Sequence, residues 1–147
     1  MANDLYFEDF TEGRTFQSAA RRLDEGTVRA FSEVSGDFNR IHLDEDYARS
    51  SPFGGRIAHG LLALSAATGL LHDLEILRES VVAFTGLSWK FKAPVFLGDS
   101  ISLTLKVARR RAMGGRGGLV FFEAAIVTQD GKTVQEGEWT LMVKAAK

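Results

Sequence analysis

The chain has 147 residues, 45% of them apolar, which is enough for one compact domain spanning residues 1–147 with a substantial core. Its net charge of -1 offers no basic field for nucleic acid, and the absence of cysteine excludes disulfides and thiolate metal sites. The acidic first ten residues do not resemble a signal peptide, and the apolar stretch near residues 57–71 is too short for a membrane span, so we expect a cytoplasmic protein.

The first half of the chain is predicted to contain one strand and two helices. Residues 15–23 favour a strand. Asp24 then begins a helix in which Val28, Phe31 and Val34 recur at helical spacing, and a glycine at position 36 ends it. Asp44 is placed to cap a short second helix that stops before the proline at position 52.

Residues 59–74 predict a buried central helix. Apolar residues fall on every side of it, at Leu61, Leu62, Leu64, Ala66, Ala67, Leu70 and Leu71. A helix that is apolar all round is buried, and the small residues of this one would let a surrounding sheet approach closely.

The second half of the chain is typical of strands. Apolar and polar residues alternate over residues 87–92 and 101–107, and two further strands are predicted at 119–129 and 133–144. Asp130 and Gly131 indicate a hairpin between the last two. The order predicts an α+β fold in which an antiparallel sheet curls around one helix.

The loop GDFNRIH, residues 36–42, contains the first residues that could carry chemistry. On a continuous helix, Asp37 and His42 would point to opposite sides, but glycine and asparagine favour a turn that could bring them together. An imidazole beside a carboxylate can hold and deprotonate a water molecule. The alternative is that Asp37 only caps a turn and His42 only bonds to backbone.

The pair His59-Gly60 opens the predicted central helix. The N-terminus of a helix carries unpaired N–H groups, and glycine would let a thioester carbonyl come close to its amide. Such a donor can stabilise a developing oxyanion. The alternative is that Gly60 only eases helix packing. Water activation and oxyanion binding are the two halves of a conjugate addition to an α,β-unsaturated carbonyl.

Three stretches carry a family resemblance: SGDFNRIHLDEDYA, FGGRIAHGLLALSAATGLL and WKFKAPVFLGDSI. In order, they resemble the R-specific enoyl-CoA hydratases of the MaoC-like dehydratase family, which have the hotdog fold. The resemblance implies that Asp37 and His42 are the catalytic pair and that Gly60 receives the thioester oxygen. It places Asn39 as the turn asparagine and Thr68 near the substrate. Arg40 departs from the family, which usually has proline there.

The resemblance implies reversible hydration of trans-2-enoyl-CoA to (R)-3-hydroxyacyl-CoA. It implies no cofactor, since coenzyme A is part of the substrate, and a homodimer with each site near the interface. Basic residues should meet the phosphates of coenzyme A, and the candidates are Lys90, Lys92 and Arg109 to Arg111. The histidines and acidic residues show no recognised metal spacing, so no metal is expected.

Two other functions remain open at this point. A hotdog thioesterase would hydrolyse the thioester, and a non-catalytic subunit would bind acyl thioesters without turnover. The presence of both Asp37 and His42 argues against both alternatives.

Overall fold

The computed structural model describes residues 3–147, in which short strands and helices precede four long strands. In chain order the elements are β1 (Thr15–Gln17), β2 (Arg21–Arg22), α1 (Glu25–Ser35), α2 (Arg40–Leu43), α3 (Glu45–Arg49), α4 (Gly60–Asp73), β3 (Val81–Phe91), β4 (Ser100–Ala112), β5 (Gly117–Thr128) and β6 (Thr133–Lys144). Single 3₁₀ turns lie at Phe7–Asp9 and Gly114–Arg116.

One antiparallel sheet has the strand order β1-β4-β5-β6-β3, with β2 also paired to β4. The buried side chains of α4 and of alternate positions on β4, β5 and β6 form one apolar core. The predicted α+β architecture, a sheet around a central helix, is therefore confirmed. In the part of the chain that the structure describes, no helix is both long and apolar enough to cross a membrane.

Local sequence signals account for several element boundaries. Asp24 accepts a hydrogen bond from the Thr27 N–H and so caps α1, and Gly36 ends that helix with a φ of 79°. Asp44 caps α3 in the same way through the Tyr47 N–H. Strand β6 has the predicted bounds, and the hairpin before it turns at Gly131, whose φ is 78°.

Three details of the prediction are wrong. The first strand is interrupted at residues 18–20, where Ser18 donates its N–H to Leu103 O and accepts the Leu103 N–H on its hydroxyl. Val34 is 86% exposed, because α1 buries its other face through Val28. Leu61 is 59% exposed, so α4 is not covered on all sides.

The exposed side of α4 is a narrow stripe formed by Leu61, Ser65 and Thr68, which recur at helical spacing. Strand β3, whose Phe91 ring lies against Gly60 at the start of α4, is at the edge of the sheet and also has exposed apolar residues. A single copy of the chain therefore leaves one apolar side of its core region uncovered.

Candidate active site

Three segments meet at the N-terminus of α4: the loop after α1, the short helix α2, and residues 56–60. Helix α2 was not predicted as a separate element. It begins at Arg40 because Asn39 accepts the Ile41 N–H on its side chain, which is N-capping. The turn predicted for GDFNRIH is thus a cap followed by one helical turn, and it brings Asp37 and His42 together.

Asp37 is held at three points. Its N–H donates to Ser35 Oγ at 3.1 Å, and its Oδ1 accepts the Asn39 N–H at 3.1 Å. Its backbone oxygen lies 3.1 Å from His59 Nε2. The side chain remains 50% exposed, so solvent reaches the carboxylate while the backbone beneath it is fixed.

His42 is buried, and its protonation pattern follows from its neighbour. Nδ1 lies 2.7 Å from the backbone oxygen of Ile57, which can only accept a hydrogen bond. The proton of neutral His42 therefore sits on Nδ1, and Nε2 carries the lone pair. Arg56 Nε donates to the His42 backbone oxygen at 2.7 Å and pairs with Glu25 of α1, which fixes α2 against the rest of the site.

The lone pair of His42 faces the free oxygen of Asp37. His42 Nε2 and Asp37 Oδ2 are 4.0 Å apart, too far for a direct hydrogen bond. A water molecule at about 2.8 Å from both atoms fits beside this gap. The two alternatives from the sequence are also met, since Asp37 caps a turn and His42 bonds to a backbone carbonyl. Each residue nevertheless keeps a second polar atom free for chemistry.

His59 is the residue whose importance the sequence reasoning missed. It is 3% exposed, and its ring stacks on that of His42 with centroids 3.8 Å apart and planes 25° apart. Its Nε2 lies 3.0 Å from Ser32 Oγ as well as 3.1 Å from Asp37 O, while Nδ1 is buried with no partner among the described residues. Its position next to Gly60 was the one available signal.

The environment of His59 keeps its imidazole neutral. Burial lowers the pKa of His59, and the nearby His42 lowers it further, whereas the contacts with Asp37 act in the opposite direction. A proton on Nδ1 would also be a buried donor without an acceptor.

Gly60 is the first residue of α4, and its N–H has no acceptor among residues 3–147. A side chain here would be crowded, since a Cβ built on Gly60 would lie 2.9 Å from the Phe91 ring. The carbonyl of Gly60 accepts a hydrogen bond from Gln135 Nε2 at 3.0 Å, and Trp89 Nε1 donates to Gln135 Oε1 at 2.9 Å. The glycine is thus fixed between β3 and β6.

An open cavity of about 340 Å³ reaches Gly60. Its walls include Phe53, Ile57, Phe91 and Lys92. Asp37 and His42 do not line it, but Ile57 does, and the carbonyl of Ile57 is the partner of His42. In one copy of the chain, the Asp37–His42 pair therefore lies next to residues 57–60, and the cavity that reaches the Gly60 amide is lined by the same segment.

Two further predicted site residues have local roles. Asn39 caps α2 with its side chain, which fits the predicted turn function. Thr68 lies two turns along α4 from Gly60, on the exposed stripe, and its hydroxyl donates to Ser65 O at 2.6 Å. The structure does not bring Thr68 to the Asp37–His42 pair.

Arg40, which stands where the family usually has proline, contacts its own neighbours. It pairs with Asp44 at 3.0 Å, and its guanidinium lies 4.4 Å from the centre of the Tyr47 ring. This arrangement fastens α2 to α3 through side chains. The guanidinium of Arg40 is thus already engaged within the chain.

The two basic clusters differ in position. Lys92 lines the Gly60 cavity and pairs with Glu136 at 2.9 Å. Arg109 forms a two-pronged pair with Glu138 and lies 4.0 Å from the centre of the Phe121 ring, which is elsewhere on the sheet. Of the candidates for phosphate binding, Lys92 is the one beside the site.

Asp37, His42 and His59 also form a group whose potential metal-ligand atoms lie within 4.8 Å of one another. His59 Nε2 is already engaged by Asp37 O and Ser32 Oγ, at 3.1 and 3.0 Å, and so offers no free lone pair beside Asp37. This geometry suits a water molecule better than a metal ion, and the expectation of no metal or cofactor stays a prediction.

Comparison with known proteins fits this fold and site. The family model described as MaoC like domain matches residues 9–120. The chain belongs to the MaoC-like family. This MaoC-like protein is 37% identical over 147 residues to an (R)-specific enoyl-CoA hydratase from Rhodospirillum rubrum, with 98% of this chain and 97% of that protein covered.

Two other relatives give the same picture. A 3-hydroxybutyryl-CoA dehydratase from Methylorubrum extorquens is 36% identical over 113 residues, which covers 74% of this chain and 70% of that protein. The unliganded structure of R-hydratase PhaJ1 from Pseudomonas aeruginosa superimposes with a TM-score of 0.83 at 26% identity, covering 97% of this chain and 88% of that one. The hotdog fold expected from the sequence is confirmed, because a double hotdog structure from Mycobacterium tuberculosis superimposes with a TM-score of 0.80 at 22% identity, covering 97% of this chain and 45% of that one.

Proposed function

We propose that this MaoC-like protein catalyses the reversible hydration of trans-2-enoyl-CoA to (R)-3-hydroxyacyl-CoA. The gap between Asp37 Oδ2 and His42 Nε2 carries the proposal, because it pairs a half-exposed carboxylate with an imidazole whose lone pair faces it. The relatives named as R-specific hydratases support the substrate class and the R configuration of the product.

In this mechanism Asp37 and His42 hold one water molecule between them. His42 Nε2 takes a proton from the water as its oxygen attacks the β-carbon of the enoyl group. Negative charge then moves to the thioester oxygen, where the free N–H of Gly60 stabilises it. A proton returned from the pair to the α-carbon completes the addition, and the reverse steps eliminate water.

The test measures hydration of crotonyl-CoA by Asp37→Asn and His42→Gln variants. The loss of the conjugated absorbance of the substrate reports the rate. General-base catalysis contributes roughly 10²- to 10⁴-fold, so each variant should lose activity on that scale while remaining folded. His72→Gln, an exposed histidine at the other end of α4, is the matched control. Folded Asp37→Asn or His42→Gln protein that hydrates at the wild-type rate would contradict the mechanism, and release of free thiol would indicate a thioesterase.

We further propose that Lys92 meets a phosphate of coenzyme A. It lies on the wall of the cavity that reaches Gly60, where the thioester would sit, and Glu136 orients its ammonium group. Lys92→Gln should raise KM for crotonyl-CoA and leave kcat close to that of the wild type. The control is Lys90→Gln, because Lys90 lies two residues earlier, on β3, but lines a different groove.

We also propose that the active protein is a homodimer that joins along β3. Phe84, Leu87 and Phe91 are 42%, 50% and 54% exposed, and each is paired across β3 and β6 with an inward-facing residue. These three side chains therefore continue the apolar inner face of the sheet onto its edge strand, β3. A second copy would cover them there.

Sedimentation of a Leu87→Asp variant tests this assembly. The buried charge should shift the protein to monomer, with loss of activity, because the site lies beside the same edge. Val34→Asp places the same charge at an exposed apolar residue on α1 and should leave the dimer intact. A wild-type protein that sediments as a monomer would refute the proposal.

The cytoplasmic location stays a prediction.

A further inference from the structure

The mechanism leaves unused one buried titratable residue, His59, which touches both members of the catalytic pair. It contacts the backbone of Asp37 through Nε2 and the ring of His42 through stacking. Its other neighbours are Ser32 and Phe31 of α1, the latter with ring centroids 4.9 Å away. No other side chain of the described site links the pair in this way.

The protonation pattern of His59 follows from its partners. Asp37 O can only accept, so Nε2 must carry the proton for this contact to be a hydrogen bond. Ser32 Oγ, at 3.0 Å, then accepts a share of the same N–H. The other neutral form would set two lone pairs against each other at Asp37 and would bury the Nδ1 proton without an acceptor.

We propose that His59 is a positioning residue, which as a neutral Nε2–H imidazole fastens the backbone of Asp37 and supports the ring of His42 from one side. This inference rests on the proposed hydratase function, since it assigns His59 a part in holding the water gap. Because α4 begins immediately after His59, the same residue also ties the gap to the amide of Gly60. His59 thereby sets the distance between the two halves of the reaction.

A donor-removal experiment tests the proposal. His59→Phe keeps a ring to stack on His42 but has no N–H for Asp37, and misplacement of a catalytic group by about 1 Å can cost roughly a hundredfold in rate. We expect kcat for crotonyl-CoA to fall by roughly tenfold to a hundredfold while KM changes little. His59→Gln, which retains a donor at the matching position, should recover most of that loss.

The double variant Asp37→Asn/His59→Phe separates positioning from general stability. If His59 acts through Asp37, the second substitution adds little once the carboxylate is gone, because the two residues work as one unit. Full additivity of the two losses would overturn the proposal. A His59→Phe protein with wild-type kcat would overturn it too, as would a His59→Gln protein no better than His59→Phe. The control is again His72→Gln.

Nitrogen NMR of the three imidazoles gives a readout that does not depend on activity. We expect a proton on Nε2 of His59 and on Nδ1 of His42 in the wild-type protein, and faster hydrogen exchange of the Asn39 and His42 amides in His59→Phe. A wild-type protein that hydrates no enoyl thioester would defeat the proposed function alone. A His59 protonated on Nδ1, or unchanged exchange in the loop, would defeat the positioning role.

Discussion

A glycine-to-proline change at position 60 isolates the amide hydrogen that the mechanism places on the thioester oxygen. Gly60 is the first residue of α4, where proline is well tolerated because that N–H has no partner in the helix. The preceding residue, His59, has φ -57° and ψ 134°, in the extended region that a following proline requires. Gly60→Pro therefore removes the donor with little demand on the backbone.

The matched variant is Gly60→Ala, which keeps the N–H and adds a Cβ. In either variant the new Cβ would lie 2.9 Å from the Phe91 ring, so the ring must move by a few tenths of an ångström. Phe91 is 54% exposed in one copy, and any cover that a second copy provides restricts its ring equally in both variants. This Cβ contact is common to both variants and cancels in the comparison, so what remains is the amide hydrogen, which the Cδ of proline replaces.

The expected difference follows from the value of one oxyanion donor, about 3 to 4 kcal/mol, or roughly 10²- to 10³-fold in kcat. Both proteins should first be compared by thermal unfolding, where we expect similar midpoints. Hydration of crotonyl-CoA should then be at least about a hundredfold slower in Gly60→Pro than in Gly60→Ala. Equal kcat values in two folded proteins would refute a catalytic role for this amide.

Three more outcomes are expected. Since burial lowers the pKa of His59, the unfolded chain binds a proton there at higher pH than the folded chain does. The free energy of unfolding should therefore fall as the pH drops below 6.5, by at most about 1.4 kcal/mol per pH unit. Denaturant titrations of His59→Gln at several pH values should lack this part of the pH dependence. Arg40→Pro should change the free energy of unfolding by less than about 1 kcal/mol, because Arg40 begins α2 and Asn39 already has φ -55° and ψ 134°. A large rise in KM for crotonyl-CoA in this variant would show instead that Arg40 binds the substrate. Gln135→Leu should destabilise by about 1 to 3 kcal/mol in urea unfolding by stranding the Trp89 N–H, while Gln17→Leu on an exposed strand should not.

Signals that act over a few residues made much of this fold predictable. Asp24, Gly36 and Asp44 mark helix ends through caps that need no distant partner, and the period-two pattern of residues 101–107 identifies a strand with one buried face. The break in the first strand was not predictable in this way. It depends on Ser18 meeting Leu103, a contact between residues far apart in the chain.

The site was predicted to a similar extent. The spacing of Asp37 and His42 within a turn-forming segment pointed to a shared site, and the structure places them 4.0 Å apart. The protonation of His42 depends on the carbonyl of Ile57, and the role proposed for His59 depends on its contacts with Asp37 O and the His42 ring; no local pattern indicates these contacts. Leu61 was assigned to the core because hydrophobicity alone does not distinguish a buried core from an apolar surface that awaits a second chain.

The two edges of the sheet are unequal, and this limits how copies can assemble. On one side β1 and β2, only three and two residues long, occupy part of the β4 edge, and Ser18 bonds to the backbone of Leu103 between them. On the other side β3 presents eleven residues. In the proposed dimer, the two copies would use their β3 edges on each other, so pairing through β3 would end with a closed pair.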